Sequence, residues 1–389
     1  MVKDKDYYFE EDVLFLEKWL DDAISVAKSL SHQAKYGNGL SVFTISTTTK
    51  LSDKHQPYLT PIRKIYQGYV GGAVVFSQTQ AFLIAKHIDG LIDQILVDAE
   101  KKIGITLGVN QDVIKHFNLK ETQQEEQARI HVEMGNLSAA CSMVIKKSEF
   151  HEFKPNDMTV DAVWYFLSNN FRVLSGKKFA IIGSGNIGFK LAVKLIESGS
   201  NVELVRRDMR KGTLMADIID IIKPQSTLAT GHYNSDPLQA SLFCDGIIGC
   251  SNGKPLITWE MIQSMKPNGI VIDVGKGTVY KKAAIRASQA DIPIYRCDIS
   301  SAINGVIATI ERNKHIIANE IGRLEIKKDL YIISGGKLGQ DGDIVVDCYS
   351  KPKQIFGVAD GVGDLKQKLS KSDRIKIQEL KGLINGDNP

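Results

Sequence analysis

Between Lys177 and Arg207 the chain reads KKFAIIGSGNIGFKLAVKLIESGSNVELVRR, and few folds accommodate that order of residues. Lys178–Ile182 is a short apolar run that predicts a buried strand. Gly183, Gly185 and Gly188 follow as G-S-G-N-I-G, and Phe189–Glu197 then places apolar residues at helical spacing before a second strand, Asn201–Val205. Strand, glycine turn, helix and strand in immediate succession predict a βαβ unit whose turn admits a pyrophosphate. The first glycine allows the tight turn, the second lets phosphate approach the backbone, and the third lets helix and strand pack closely. The helix N-terminus then points unpaired N–H groups at the anion. Gly183, Ser184, Gly185, Asn186, Ile187 and Gly188 are therefore the expected pyrophosphate contacts.

A chain of 389 residues is long for one core, so about two domains of about 150 residues are expected. A net charge of +4 is too small to argue for nucleic acid, and no long Lys/Arg run supports such a partner. The N-terminal residues MVKDKDYYFEED lack an apolar signal region, and no apolar run reaches the roughly 18 residues of a membrane helix. These features predict a cytoplasmic protein with no membrane partner. Cys141, Cys244, Cys250, Cys297 and Cys348 are scattered and lack CxxC spacing, which suits reduced thiols and no metal site. Cys250, after an apolar run, reads as a strand-end core residue rather than a nucleophile.

Ahead of the glycine motif, Glu10–Ser31 predicts an amphipathic helix. LSVFTIS from Leu40 predicts a strand, followed by a polar loop and Thr60-Pro61-Ile62-Arg63-Lys64. Gly71–Phe76 and Asp93–Lys101 are further strand candidates, with a helix over Ala81–Ile88 between them. Gln111–Leu119 and Glu121–Lys147 read as helices, and the pattern breaks around Phe150–Asp157. Asp157 is a candidate cap for a helix over Thr159–Ser168. The alternation predicts a small α/β lobe with no phosphate loop of its own, which by elimination suits it to recognise a substrate.

After the motif, strands at Gly246–Gly249, Gly269–Val274 and Ile292–Arg296 join the first two, enough for most of a doubly wound parallel sheet. Ser301–Lys328 reads as one long helix able to return to the first lobe. Tyr331–Ser334 and Asp343–Asp347 read as a β-hairpin before a charged terminal helix near Lys371. The expected organisation is thus an N-terminal α/β lobe over residues 1–155, a dinucleotide-binding domain over 156–300, and a C-terminal helix and hairpin over 301–389 returning to the first lobe.

The end of the second strand distinguishes NAD from NADP, since an acidic side chain there binds the ribose hydroxyls and excludes a 2′-phosphate. Here the strand ends Val205-Arg206-Arg207-Asp208, and the paired guanidinium groups suit a phosphate, which favours NADP over NAD. A one-residue shift would put Asp208 on the ribose, the NAD alternative. The same arginines argue against a methyltransferase. Ser251-Asn252-Gly253 and Asp273-Val274-Gly275 follow later strands at the sheet's C-terminal edge, making Ser251, Asn252, Asp273 and Gly275 further candidate cofactor contacts. Glycines that merely end strands are the plainer reading of both loops.

The chain resembles the two-lobed dehydrogenases that place a substrate lobe ahead of a Rossmann lobe: the methylenetetrahydrofolate, shikimate and amino-acid dehydrogenases. Leu174-Ser175-Gly176-Lys177-Lys178, Asn252-Gly253-Lys254-Pro255-Leu256-Ile257 and Ile272-Asp273-Val274-Gly275 are similar to segments of the methylenetetrahydrofolate enzymes. The resemblance implies an NADP-dependent oxidoreductase acting on a small polar metabolite, with a homo-oligomer compatible with it. That family's tyrosine and lysine four residues apart have no counterpart here, nor does the lysine after an Asn-Val-Thr strand of shikimate dehydrogenase. No catalytic residue transfers.

Hydride transfer at a heteroatom-bearing carbon needs a proton donor or acceptor within hydrogen-bond reach. In Asp93–Lys101 a period of two sends Asp98 and Glu100 to one face, with Lys101 and Lys102 at the end. Lys101 is the candidate proton-transfer group and Asp98 the carboxylate that orients it, with Glu100 beside them and Lys64 in reserve. Surface ion pairing is the plainer reading of the same residues. A non-redox protein holding the dinucleotide as a tightly bound or regulatory ligand is the alternative function.

Overall fold

The computed structural model describes residues 13–48, 56–100, 115–117 and 136–386. The chain divides into two compact units, Met1–Asn304 and Gly305–Pro389.

The first unit holds two sheets. In the first, β1 (Leu40–Thr47), β3 (Gly68–Val75), β4 (Gln94–Asp98) and β5 (Glu149–Phe153) run parallel, and β2 (Tyr58–Ile65) is an antiparallel edge, in the order β2-β3-β1-β4-β5. Helix α1 (Val13–Tyr36) buries Leu16, Trp19, Leu20, Ala23, Ala27, Leu30 and Ala34, the three-and-four spacing of one face. With α2 (Gln78–Ile88) it covers Phe43, Ile45, Ala73, Val75, Ile95 and Val97.

Several expectations change here. Thr60–Lys64, given no element from the sequence, is part of β2; Pro61, which has no N–H to donate, sits where the pairing register shifts between Thr60 and Arg63. The predicted strand Asp93–Lys101 shortens to β4, and all of its residues are buried. A parallel strand flanked by neighbours has no wet face, so the alternation read from the sequence does not translate into exposure. The break expected around Phe150 is instead β5. Of the long helix expected over Glu121–Lys147, the described part forms α3 (Leu137–Ser142). It stops there because the Asp89 carboxylate accepts the backbone N–H groups of Lys146, Lys147 and Ser148. Residues 118–135 lie outside the described residues, as does most of Gln111–Leu119.

Helix α4 (Pro155–Phe171) starts earlier than expected, with Pro155 in its first turn, where a missing N–H costs nothing. Asp157 lies inside that first turn rather than capping it. The second sheet contains β6 (Lys178–Ile182), β7 (Asn201–Val205), β8 (Gly231–Asn234), β9 (Gly246–Gly249), β10 (Ile270–Asp273) and β11 (Ile294–Arg296), all parallel, in the order β11-β10-β9-β6-β7-β8. Between them run α5 (Asn186–Glu197), α6 (Met209–Ile222), α7 (Pro237–Ser241), α8 (Trp259–Gln263) and α9 (Lys281–Gln289). One face packs Phe179, Ile181, Leu204 and Ile248 against Val163 and Leu167 of α4 and Leu191 and Leu195 of α5; the other packs Ala180, Ile182, Ile247 and Val271 against Met261, Ile262, Ala283 and Ala287. The strand order reverses between β6 and β9, which opens a crevice above their C-terminal ends.

The helix expected over Ser301–Lys328 ends at His315 as α10 (Ser300–His315), and a π-helical turn over Ile316–Glu320 follows. The second unit, which begins within α10, then forms β12 (Gly322–Lys327), β13 (Leu330–Ser334), β14 (Ile344–Val346) and β15 (Ile355–Val358), paired in chain order. Strands β13 and β14 are parallel, so the expected hairpin between them does not exist; the hairpins are β12–β13 and β14–β15. Leu380 of α11 (Lys371–Gly386) packs with Leu330, Ile332, Ile344 and Val346.

In this unit buried Asp343 receives Arg323 Nε at 2.7 Å and Nη2 at 2.9 Å, and the Gln340 N–H at 2.9 Å. Burial pushes the Asp343 carboxyl up, but these donors outweigh it and hold the group below its usual range. A depressed folded-state value stabilises the fold above the unfolded value of about 3.9 and ceases to do so as pH falls through the folded value. The thermal midpoint is therefore expected to drop more steeply on acidification below about pH 4 in the native chain than in Asp343→Asn, as followed by circular dichroism.

Candidate active site

The chain leaves β6 at Ile182 and turns at Gly183, whose φ of +98° disfavours any residue with a Cβ; a Cβ would also stand 2.7 Å from the Ser251 amide nitrogen. The Gly183 and Ser184 N–H groups both donate to the Val205 carbonyl at 3.0 Å, hitching the turn to the end of β7. Ser184 is buried and its Oγ donates to the same carbonyl at 3.3 Å. Its hydroxyl therefore braces the turn. At Gly188 a Cβ would lie 2.9 Å from the Gly183 carbonyl, the close helix-to-strand approach expected of the third glycine.

Gly185 differs from both. A Cβ there would meet nothing within 4 Å, and Gly185 stands at the N-cap of α5 with no side chain capping the helix. A helix start without a cap beside open space is a ready anion site, and the residues present fit a pyrophosphate. The fold is Rossmann. Strand order, parallel pairing and glycine turn agree on that assignment.

No family model matches the chain, and no curated protein matches it. Solved structures do. L-tryptophan dehydrogenase from Nostoc punctiforme is 12% identical over 70% of this chain and 74% of its own, with a TM-score of 0.37. D-lactate dehydrogenase from Escherichia coli is 12% identical over 79% and 95%, with a TM-score of 0.32. Ornithine carbamoyltransferase from Gloeobacter violaceus is 13% identical over 76% and 94%, with a TM-score of 0.34. Likenesses this remote carry no activity across, and the fold assignment rests on the chain's own topology.

At the end of β7, Arg206 folds back so that Nη1 donates to the Ser184 carbonyl, and its own carbonyl accepts from Tyr233 Oη at 3.1 Å. Its Nε is a buried donor without a partner among the described residues. Arg207 is exposed. Asp208, the residue of the NAD alternative, caps α6 and accepts the Lys211 N–H at 3.1 Å.

The loops after β9 and β10 are tied to the fold. Ser251 Oγ donates to the Lys254 carbonyl at 2.6 Å, and Asn252 is exposed. Asp273 is buried and accepts Gly277 N at 2.8 Å and Thr278 Oγ1 at 2.7 Å, so its carboxylate shapes its own loop. Gly275 N donates to the Gly249 carbonyl at 2.9 Å. Burial pushes the Cys250 thiol up to about 12, as befits a strand-end core residue. Among the described residues no group of His, Cys, Asp and Glu is placed to hold a metal ion, and no helix is long and apolar enough to cross a membrane.

The candidate catalytic cluster is rearranged. Asp98 is buried and accepts Glu100 N at 2.8 Å and Thr47 N at 3.3 Å, so it closes the end of β4. Glu100 turns away from it: Oε2 accepts Asn156 N at the start of α4 at 2.8 Å, and Oε1 lies 3.6 Å from Lys190 Nζ on α5. Lys64 is exposed on edge strand β2. Lys101 and Lys102 lie outside the described residues. Lys190 and Asn156 were not anticipated. The available signal was the placement of Lys190 one helical turn beyond Asn186, on the face that α4 covers.

Proposed function

We propose that the chain is an NADP-dependent oxidoreductase that moves a hydride to or from a C–OH, C–N or C=N carbon of a small polar metabolite. The observation that carries this reading is the uncapped start of α5 beside the open space at Gly185, with Arg206 and Arg207 following β7. When bound, the nicotinamide supplies the hydride acceptor or donor. Asn186 and Ile187 would offer backbone N–H groups to the pyrophosphate where Gly185, whose own N–H donates to the Gly183 carbonyl at 2.7 Å, leaves room for it, and the arginines would hold the 2′-phosphate. Asp208 is engaged in capping α6, which supports NADP over NAD.

Lys101 is the proposed proton-transfer group, releasing a proton to the heteroatom or taking one from it as the carbon gains or loses hydride. Support comes from Glu100, the preceding residue, whose carboxylate reaches the start of α4 and Lys190 beside the glycine turn. Following reduced-nicotinamide absorbance against a metabolite pool tests the activity: net cofactor consumption is expected, and its absence with binding intact would favour a bound or regulatory dinucleotide. With the substrate so found, Lys101→Met is expected to lower kcat about a hundredfold while NADP affinity holds. Near-normal turnover would remove Lys101 from the reaction.

A further inference from the structure

Six polar residues connect the end of β4 in the first sheet to the glycine turn of the second. Asp98 fixes the Glu100 N–H at 2.8 Å, and Glu100 accepts the Asn156 N–H at 2.8 Å. Asn156 Nδ2 then reaches Asn186 Oδ1, the first residue of α5, at 3.2 Å. From the other side Lys190, one turn along α5, pairs with Asp157 and stands 3.6 Å from Glu100. The carboxylate is therefore shared by the start of α4 and the flank of α5, and its backbone is held by a buried side chain.

We propose that Glu100, Asn156 and Lys190 are positioning residues that set the glycine turn from the end of β4, so that dinucleotide binding at the turn is transmitted to the first sheet. The inference rests on the dinucleotide reading above. A phosphate at the start of α5 draws on the backbone of Asn186, whose side chain holds Asn156, whose backbone holds Glu100. No side chain of the relay needs to touch the cofactor.

Amide hydrogen exchange of the full chain, with and without saturating NADP, tests this. In the native chain NADP is expected to slow exchange at Gly185–Phe189 and also, by roughly tenfold, at Ala99–Glu100 and over Asn156–Thr159. In Asn156→Ala the slowing should persist at the turn and vanish at Ala99–Glu100. Asn156 is partly exposed, so the variant should fold; Glu100→Gln, which keeps an acceptor but loses the charge facing Lys190, should give an intermediate loss. Native-like slowing at Ala99–Glu100 in both variants would overturn the relay, as would a native response confined to the turn. No response anywhere in the native chain would overturn the dinucleotide reading and the relay with it.

Discussion

Replacing Arg206 and Arg207 together by alanine is expected to weaken NADP binding roughly a thousandfold while NAD affinity stays within about threefold, as read by calorimetry. The estimate follows from two charge-assisted contacts to one phosphate, each worth about 1.5–3 kcal/mol. Arg206 also braces the turn through the Ser184 carbonyl, so part of its loss should fall on both cofactors. Arg207, which is exposed, carries the cleaner difference. Equal losses for NADP and NAD would assign the arginines to the turn's architecture and reopen the choice of cofactor.

Gly185→Val is expected to abolish measurable binding of either dinucleotide, a loss of at least about 4 kcal/mol, while leaving the melting temperature nearly unchanged. The side chain would enter the open space where phosphate is expected, since a Cβ at Gly185 has no atom beyond its chain neighbours within 4 Å. Gly183→Ala makes the contrasting case. Its Cβ would press on the Ser251 backbone from a left-handed conformation, so stability and binding should fall together. Calorimetry paired with thermal melts separates the two, and a Gly185→Val protein that binds dinucleotide normally would refute the site.

The glycine turn was legible because its spacing carries its own geometry: each glycine answers a different contact, and the flanking apolar runs are long enough to identify. Two edge strands were not. β5, EFHEF, and β8, GHYN, are short and polar, and they exist because a neighbouring parallel strand offers its hydrogen bonds. The overlong helix after Ser300 has a different cause. Leu324 and Ile326 continue an isoleucine stripe at a spacing that suits helix or strand, and pairing with β13 decides the matter. Asp98 ends β4 and Glu100 lies two residues beyond it, and their partners lie on segments far away in sequence, which no local pattern reveals.

The parallel pairing of β13 with β14 makes the second unit's sheet two hairpins joined along a single seam of three residue pairs, Ile332 with Ile344, Ile333 with Val345 and Ser334 with Val346. The β12–β13 hairpin closes over Lys328 and Asp329, whereas the seam and the β14–β15 hairpin need the longer connections 335–343 and 347–354. Arg323 reaches from the first hairpin to Asp343 at the edge of the second, so the ion pair crosses this seam. The Arg323–Asp343 clasp thus ties the two halves across their joint and opposes their parting as separate cooperative units.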